Sequence, residues 1–177
     1  MLFRSPPRLF DRARVTRNRD RASSRFRDYA FLKGRESTQL LERLHDTSRD
    51  FEHALDLGAH DGQATEALVQ SGKVKDITAL EGAATMAARL RETGINVVEG
   101  DEDSLPFDRE SFDLVVSLLS LHWANDLPGV MTQIRSVLKP DGLFLGCLFG
   151  GDTLPELRAA LIEAESELTG GVSPRLS

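Results

Sequence analysis

Hydrophobic residues follow two alternating spacings along most of the chain. Short apolar runs bounded by turn residues predict five strands, over residues 53–57, 76–80, 95–99, 112–118 and 143–148. Between and after these runs, apolar residues recur every three or four positions and predict helices over 62–70, 83–93, 127–138 and 154–168. Because strands and helices alternate, we expect an α/β fold with a doubly wound, mainly parallel Rossmann-like sheet.

The first 50 residues have a different pattern. We treat 1–50 as a basic N-terminal arm with helices, and 51–177 as a separate domain. Within the arm we expect disorder over 1–9, a basic helix over 10–27 and an amphipathic helix over 38–45.

The charge of the chain is uneven. Residues 1–50 carry 13 Lys and Arg against 7 Asp and Glu, a net charge of +6, whereas the remainder carries 9 against 21, a net charge of −12. A basic arm on an acidic domain suggests a separate role for the arm. Acidic residues interrupt its arginines and the acidic domain would repel phosphate, so we expect no nucleic-acid partner.

Composition excludes several classes of protein. No apolar run approaches the roughly 18 residues that a spanning helix needs, so we expect no transmembrane segment, and peripheral association with a membrane stays open. A single cysteine, Cys147, excludes an internal disulfide and a multi-cysteine metal site. The Arg-rich start is also typical of a mitochondrial transit peptide, although its aspartates argue against one.

Candidate chemistry lies at the predicted strand ends, where open α/β sheets bind their ligands. The first strand runs into Asp56-Leu57-Gly58-Ala59-His60-Asp61-Gly62, a glycine turn that lets backbone N–H groups approach a polar cofactor. A tight strand-to-helix turn without a ligand would have the same pattern. The second strand ends at Glu81, a position from which a carboxylate accepts hydrogen bonds from ribose hydroxyls.

The next two strand ends add further polar groups. Asp101 and Glu102 follow the third strand, where a carboxylate can accept a hydrogen bond from the exocyclic amine of adenine, and His122 lies near the end of the fourth. The candidate cofactor-binding residues are Asp56, Gly58, Ala59, Gly62, Glu81, Asp101, Glu102, Ser117, Leu118 and His122. No histidine forms an H-x-D/E pair, so we predict no metal site, and we assign no catalytic residue.

These motifs resemble those of class I S-adenosylmethionine-dependent methyltransferases. Residues 56–62 resemble the first motif of that class, and Glu81 resembles its ribose-binding acid. Residues 101–107 resemble its adenine-side segment, and 139–142 resemble its turn before the fifth strand. In that turn we expect Gly142 to supply the unusual φ. The resemblance implies S-adenosyl-L-methionine as cofactor. It further implies specific contacts: the amino-acid end of the cofactor oriented by Asp56, close backbone approach at Gly58 and Gly62, ribose held by Glu81, and adenine held by Asp101 and the Glu102 backbone.

One branch of the class is more similar. Residues 10–12, 19–22, 120–128, 149–158 and 170–174 resemble the respiratory complex I assembly factor 5 family. That resemblance implies a protein substrate, with hydroxylation of an arginine on a core iron–sulfur subunit of complex I. Malonyl-carrier-protein methyltransferases of biotin synthesis are a second hypothesis, and a catalytically inactive assembly scaffold is a third. We expect the bacterial cytoplasm as the compartment, with the mitochondrial matrix as the alternative.

Two features depart from the class. His60 stands where the first motif usually has glycine, so its ring either narrows the path of the cofactor or rotates outward. The class usually continues past the last helix into a strand 6–strand 7 hairpin, whereas this chain stops at Ser177. The fifth strand would then be an open apolar edge, and we expect a fragment, a truncated product or an edge covered by another chain. The sequence assigns no oligomeric state.

Overall fold

The computed structural model describes residues 8–151 and 153–172. Its strands are β1 (Phe51–Leu57), β2 (Val74–Glu81), β3 (Asn96–Glu99), β4 (Phe112–Leu118) and β5 (Leu138–Cys147). Its α-helices are α1 (Arg12–Ala22), α2 (Phe26–Tyr29), α3 (Phe31–Asp46), α4 (Gln63–Ser71), α5 (Ala84–Glu92), α6 (Leu127–Val137) and α7 (Pro155–Thr169), with a 3-10 turn over Leu121–Trp123. Most of the expected N-terminal disorder, and Ser173 and Pro174 of the last motif, lie outside the described residues.

The five strands form one parallel sheet in the order β3–β2–β1–β4–β5. The strand order reverses between β1 and β4, so the connections that leave these two strands run to opposite sides of the sheet. The predicted doubly wound α/β fold is therefore confirmed. The carboxyl ends of β1 and β4 flank the crevice in which such folds bind their ligands.

Side chains of the central strands alternate between two apolar layers. On one face Ala54, Leu114 and Val116 pack with buried leucines of α3 and α4. On the other face Leu55 and Val115 pack with the apolar side of α6. Because residues of a strand point alternately to the two faces, Asp56 lies on the same side as Ala54, next to α4.

The N-terminal helices differ from the prediction. The expected helix over 38–45 begins earlier, at Phe31. The hydrophobic pattern missed its first part because two positions on its buried face, Lys33 and Ser37, are polar. The expected basic helix over 10–27 is split into α1 and α2. Ser23 is buried at the break, and its carbonyl accepts a hydrogen bond from Arg89, so a tertiary contact fixes the end of α1.

The predicted turn at 139–142 lies inside β5. Pairing with β4 shifts register between Phe112 and Leu114, so the extra residues of β5 bulge out of the sheet. The left-handed residue is Asp141, with φ of 62°, and not Gly142 as expected. Aspartate tolerates the left-handed conformation better than most residues, so Asp141 can adopt it in place of the glycine that follows.

The edge of the described sheet that is formed by β5 has no further strand paired to it. Within the described residues β5 pairs only with β4, so it forms the expected edge. No side chain of α7 is buried, and Leu157, Leu161 and Leu168 are exposed on it. No helix in the described ranges combines the length and apolar character needed to cross a bilayer.

We predict that Gly62→Ala destabilises the fold more than Gly72→Ala. Both glycines have positive φ, 85° and 65°, so both alanines carry the left-handed strain of about 1–2 kcal/mol. A Cβ at Gly62 would also lie 2.4 Å from Leu90 Cδ2, whereas a Cβ at Gly72 would meet nothing within 4 Å. The overlap adds about 1–3 kcal/mol to the cost at Gly62. Urea unfolding followed by circular dichroism measures both, and equal losses would contradict the packing argument.

Candidate functional site

The predicted site residues converge at the carboxyl ends of β1, β2 and β4. The glycine turn follows β1, Glu81 ends β2, and the 3-10 turn carrying His122 follows β4. The arm helix α1 lies across these ends, since its side chains hydrogen-bond to residues that follow β3 and β4.

Asp56 is fully buried beneath the glycine turn. Its Oδ2 accepts a hydrogen bond from Thr65 Oγ1 at 2.7 Å, which ties the end of β1 to α4. Its Oδ1 is buried and has no partner among the described residues. Burial raises the pKa of Asp56, and the positive charge of Lys33 opposes that rise. A buried, unpartnered carboxylate oxygen is an acceptor suited to a ligand ammonium group.

The two glycines of the turn are closely approached by the chain itself. A Cβ at Gly58, where φ is 75°, would lie 2.1 Å from Ser120 Oγ and 3.0 Å from Glu102 Oε1. At Gly62 the crowding atom belongs to Leu90 of α5. Ala59 between them is buried, and its N–H donates to the Leu80 carbonyl. Both glycines are therefore already required by the protein's own packing.

His60 is buried and turned inward, not outward. Its backbone is left-handed, with φ of 54°, and its N–H donates to Glu81 Oε2 at 2.7 Å. Its Nδ1 lies 2.6 Å from Lys33 Nζ, and its ring packs beside that of Phe26. Burial lowers the pKa of His60 well below its ordinary value, and Lys33 and Arg19 lower it further. Because a lysine ammonium can only donate, Nδ1 of the neutral ring accepts the hydrogen bond of Lys33. This contact ties the glycine turn to α3.

Lys33 is a site residue that the sequence analysis missed. It is buried in α3, and its Nζ donates to the Gly58 carbonyl at 3.1 Å as well as contacting His60. Burial lowers the pKa of Lys33, while the negative charge of Asp56 opposes that shift. A lysine on the apolar face of a helix carries no local sign of such a contact, so periodicity could not reveal it.

Glu81 is fully buried, with both carboxylate oxygens engaged. Oε1 accepts from the Ala83 N–H at 2.8 Å and Oε2 from the His60 N–H, while Arg19 Nη1 lies 3.7 Å from Oε1. Burial raises the pKa of Glu81, and Arg19 opposes the rise. Each carboxylate oxygen still has a second lone pair for a hydroxyl donor.

Glu102 enters the site through its side chain, in addition to the backbone contact that the resemblance implies. Its carboxylate accepts from Arg19 Nη1 at 2.8 Å and from Ser120 Oγ at 2.5 Å, and it also pairs with Arg12. Burial alone would raise the pKa of Glu102, but Arg19, Arg12 and Ser120 together hold it at about 2. Asp101, which is more exposed, pairs with Arg12 at 3.0 Å.

Arg12 and Arg19 are thus further site residues, which the sequence placed in the motif segments 10–12 and 19–22 without indicating a role in the site. They lie about two turns apart on α1, a spacing that puts both on one face of the helix. That face is directed at the acidic strand ends. An arginine pair at this spacing, in a chain with acidic strand ends, is the signal that could have identified them.

The remaining predicted residues lie at the end of β4. Ser117 Oγ donates to the Leu57 carbonyl at 2.7 Å, and Leu118 packs in the core, so both side chains serve the interior. His122 has a buried Nδ1 without a partner among the described residues, and its ring lies between Trp123 and Phe149. Burial lowers the pKa of His122, and Arg19 adds to the effect.

A cavity of about 630 Å³ lies between α1 and the tip of β4. Its lining surface is mostly apolar and includes Phe10, Val15, Leu119 and Trp123. The polar lining residues are Asp11, Arg14, Asn18, Arg19 and His60. The described residues contain no cluster of three metal-ligating side chains. Asp56, Glu81 and the half-buried Asp101 do not line this cavity, which reaches the turn through His60 and Arg19. An Asp56 oxygen without a partner among the described residues, a carboxylate at the end of β2 and Asp101 after β3 are acceptors that suit a cationic amino acid joined to a nucleoside.

The chain is similar to known methyltransferases and to named hydroxylases. It matches the family described as Methyltransferase domain over residues 55–146. It is 44% identical over 151 residues to the mouse (Mus musculus) protein named Arginine-hydroxylase NDUFAF5, mitochondrial, covering 84% of this chain and 44% of that protein. It is 35% identical over 158 residues to a malonyl-acyl-carrier-protein O-methyltransferase of Halorhodospira halophila, covering 86% of this chain and 54% of that one.

Solved structures agree on the fold. An S-adenosylmethionine-dependent methyltransferase of Mesorhizobium loti aligns with a TM-score of 0.54 and 25% identity, covering 61% of this chain and 51% of that one. The chain spans about half the length of the curated relatives that it matches.

We predict that Glu102→Gln reduces stability most near neutral pH. The folded pKa of Glu102, about 2, lies below its ordinary value of 4.5, so ionised Glu102 stabilises the fold above pH 4.5. That contribution is lost as pH falls from 4.5 through about 2, and it is on the order of 3 kcal/mol. Urea unfolding of wild type and variant at pH 7, 4 and 3 should show the gap between them narrowing. Glu92→Gln, an exposed carboxylate on α5, is the charge-matched control, and a pH-independent gap for Glu102→Gln would contradict the prediction.

Proposed function

The chain belongs to the methyltransferase domain family, and from that membership we propose that it binds S-adenosylmethionine at the carboxyl ends of β1, β2 and β4. The observation that carries the proposal is that two buried carboxylates, with different hydrogen-bonding capacity left over, lie at neighbouring strand ends. Beneath the glycine turn, Asp56 has an oxygen without a partner in the described part of the chain, and Glu81 lies at the end of the neighbouring strand. Such a pair suits a ligand that has an ammonium group at one end and hydroxyls further along.

Each acid has a distinct proposed role. Asp56 accepts from the amino group, Glu81 from the ribose hydroxyls, and Asp101 from the adenine amine. When bound, the cofactor supplies a methyl group activated by a sulfonium charge. The residues of this chain contribute positioning and exclusion of water, which suffice for an in-line displacement without an obligatory general base. The rings of Phe10 and Trp123, which meet edge-on and line the cavity, provide apolar surface for excluding water.

The substrate that we propose is a protein side chain in respiratory complex I assembly. The motif resemblance and the mouse relative support this choice, and the name of that relative points to an arginine as the modified residue. Hydroxylation of an arginine on a complex I core subunit is a separate form of the proposal, because it would insert an oxygen atom and would therefore require an oxidant such as O2 and a two-electron reductant instead of methyl transfer. The word mitochondrial in the name of that relative supports a mitochondrial compartment over the bacterial cytoplasm.

Two other functions have specific support. The relative from Halorhodospira halophila supports carboxyl methylation of a malonyl carrier protein. The engagement of Glu81, Asp101 and Glu102 by arginines of the arm supports an inactive scaffold that retains the fold for binding a partner.

Mass spectrometry separates the first two functions. In a strain lacking this protein, the complex I core subunit should lose the modification from one arginine, while biotin prototrophy is kept. An unchanged arginine mass would reject the complex I substrate. Loss of malonyl-carrier-protein methylation in the same strain would favour the second function.

We predict that Glu81→Gln weakens cofactor binding by about 10- to 100-fold, the effect of losing charge-assisted hydrogen bonds to ligand hydroxyls. Isothermal titration with S-adenosylmethionine measures the change. Glu99→Gln is the matched control, because Glu99 ends the adjacent strand β3 but pairs with Arg91 on the surface. Circular dichroism establishes that both variants are folded. Absence of binding by wild type at millimolar ligand would reject both enzymatic functions and leave the scaffold.

A further inference from the structure

We propose that α1 is a lid that closes the cofactor site from within, with Arg19 and Arg12 holding the carboxylates that the cofactor needs, so that cofactor binding requires α1 to release them. This inference rests on the proposed cofactor site and concerns the regulation of that site.

Arg19 is the central contact of the lid. It is 8% exposed although it belongs to a basic helix at the start of the chain. Its guanidinium donates to Glu102 Oε1 at 2.8 Å and to Ser120 Oγ at 3.3 Å, and it lies 3.7 Å from Glu81 Oε1. One side chain thus spans the acid that ends β2, the acid that follows β3 and the hydroxyl that follows β4.

The space beside the glycine turn is occupied as well. Ser120 Oγ and Glu102 Oε1 are the atoms that a Cβ at Gly58 would meet, and both are held there by Arg19. A ligand that reaches both Gly58 and Glu81 must therefore displace this hydrogen-bonded group. Arg12 closes the adenine side in the same way, because it pairs with Asp101 and Glu102.

The lid is attached by polar contacts rather than by an apolar face. Arg19 is the only buried side chain of α1, whereas α3 buries Leu40 and Leu44. Water and ligand groups can replace polar contacts, but exposing an apolar face costs free energy in proportion to its area. Of these two helices, α1 is therefore the one that a ligand can lift without opening the core.

The chain at both ends of α1 makes further contacts, two of them hydrogen bonds and one an aromatic contact. Before the helix, the Phe10 N–H donates to Asn125 Oδ1 at 2.9 Å, and the Phe10 ring meets Trp123 edge-on with centroids 5.3 Å apart. Toward the end of the helix, Asp20 Oδ1 accepts from the Thr85 N–H at 2.9 Å, in the first turn of α5. Movement of α1 would therefore change the surroundings of Trp123, the single tryptophan of the chain.

The test compares Arg19→Gln with Arg17→Gln in the full chain. Arg17 lies on the same helix and is exposed, so the two variants lose the same charge but only one loses the lid contacts. Isothermal titration with S-adenosylmethionine should give about tenfold tighter binding for Arg19→Gln than for wild type, as expected when a state open about a tenth of the time becomes dominant. Arg17→Gln should bind as wild type does.

Trp123 emission provides a readout that needs no turnover. Without ligand, Arg19→Gln should already show the emission that wild type reaches only on saturation with S-adenosylmethionine. Arg12 is less buried than Arg19, and Arg12→Gln should shift affinity and emission in the same direction. This variant replaces Arg19→Gln in the test if Arg19→Gln fails to fold.

The outcomes separate the lid from the proposed function. Binding by Arg19→Gln that equals or falls below that of Arg17→Gln would overturn the lid and leave the cofactor site standing. Absence of binding in every variant would overturn the proposed function. The lid would then be judged by ligand-free emission, and unchanged emission in both Arg19→Gln and Arg12→Gln would overturn it too.

Discussion

Burial of three carboxylates at one end of a parallel sheet is the constraint on which this structure depends. Asp56, Glu81 and Glu102 are all nearly inaccessible to water, and buried charge is costly unless it is paired or hydrogen-bonded. The compensating cations, Arg19 and Lys33, come from the first helices of the chain. Helix α1 and the Lys33 end of α3 are therefore joined to the strand ends by charged side chains, whereas the rest of α3 packs in the core through Leu40 and Leu44.

The same constraint explains which features the sequence could predict. The approximate positions of the strands, the parallel doubly wound arrangement, the glycine turn and Glu81 at a strand end follow from local patterns, because each element displays its own period or turn residues. The order of the strands in the sheet does not. The pairing of Glu102 with Arg19 follows no period. It joins residues far apart in the chain, and only the fold brings them together.

Polar residues on buried faces account for the missed helix boundary. The buried stripe of α3 runs through Lys33, Ser37, Leu40 and Leu44, and only its second half is apolar. A hydrophobicity pattern therefore reveals the half that packs in the core and conceals the half that contacts the glycine turn. At residues 139–142 the error was different, since Asp141 and not Gly142 took the left-handed conformation.

The contact between Asp20 and Thr85 gives the arm an influence beyond the cleft. The residue before α5, Ala83, offers no side-chain cap, so a carboxylate from α1 supplies the acceptor for the first turn of that helix. Residues remote in sequence thus share one small cooperative unit, in which fraying at the end of α1 loosens the start of α5. Ala83 also donates its N–H to Glu81, so this unit includes the backbone that fixes the rotamer of the β2 acid. The local stability of α5 is in this way a property of the N-terminus as much as of its own sequence.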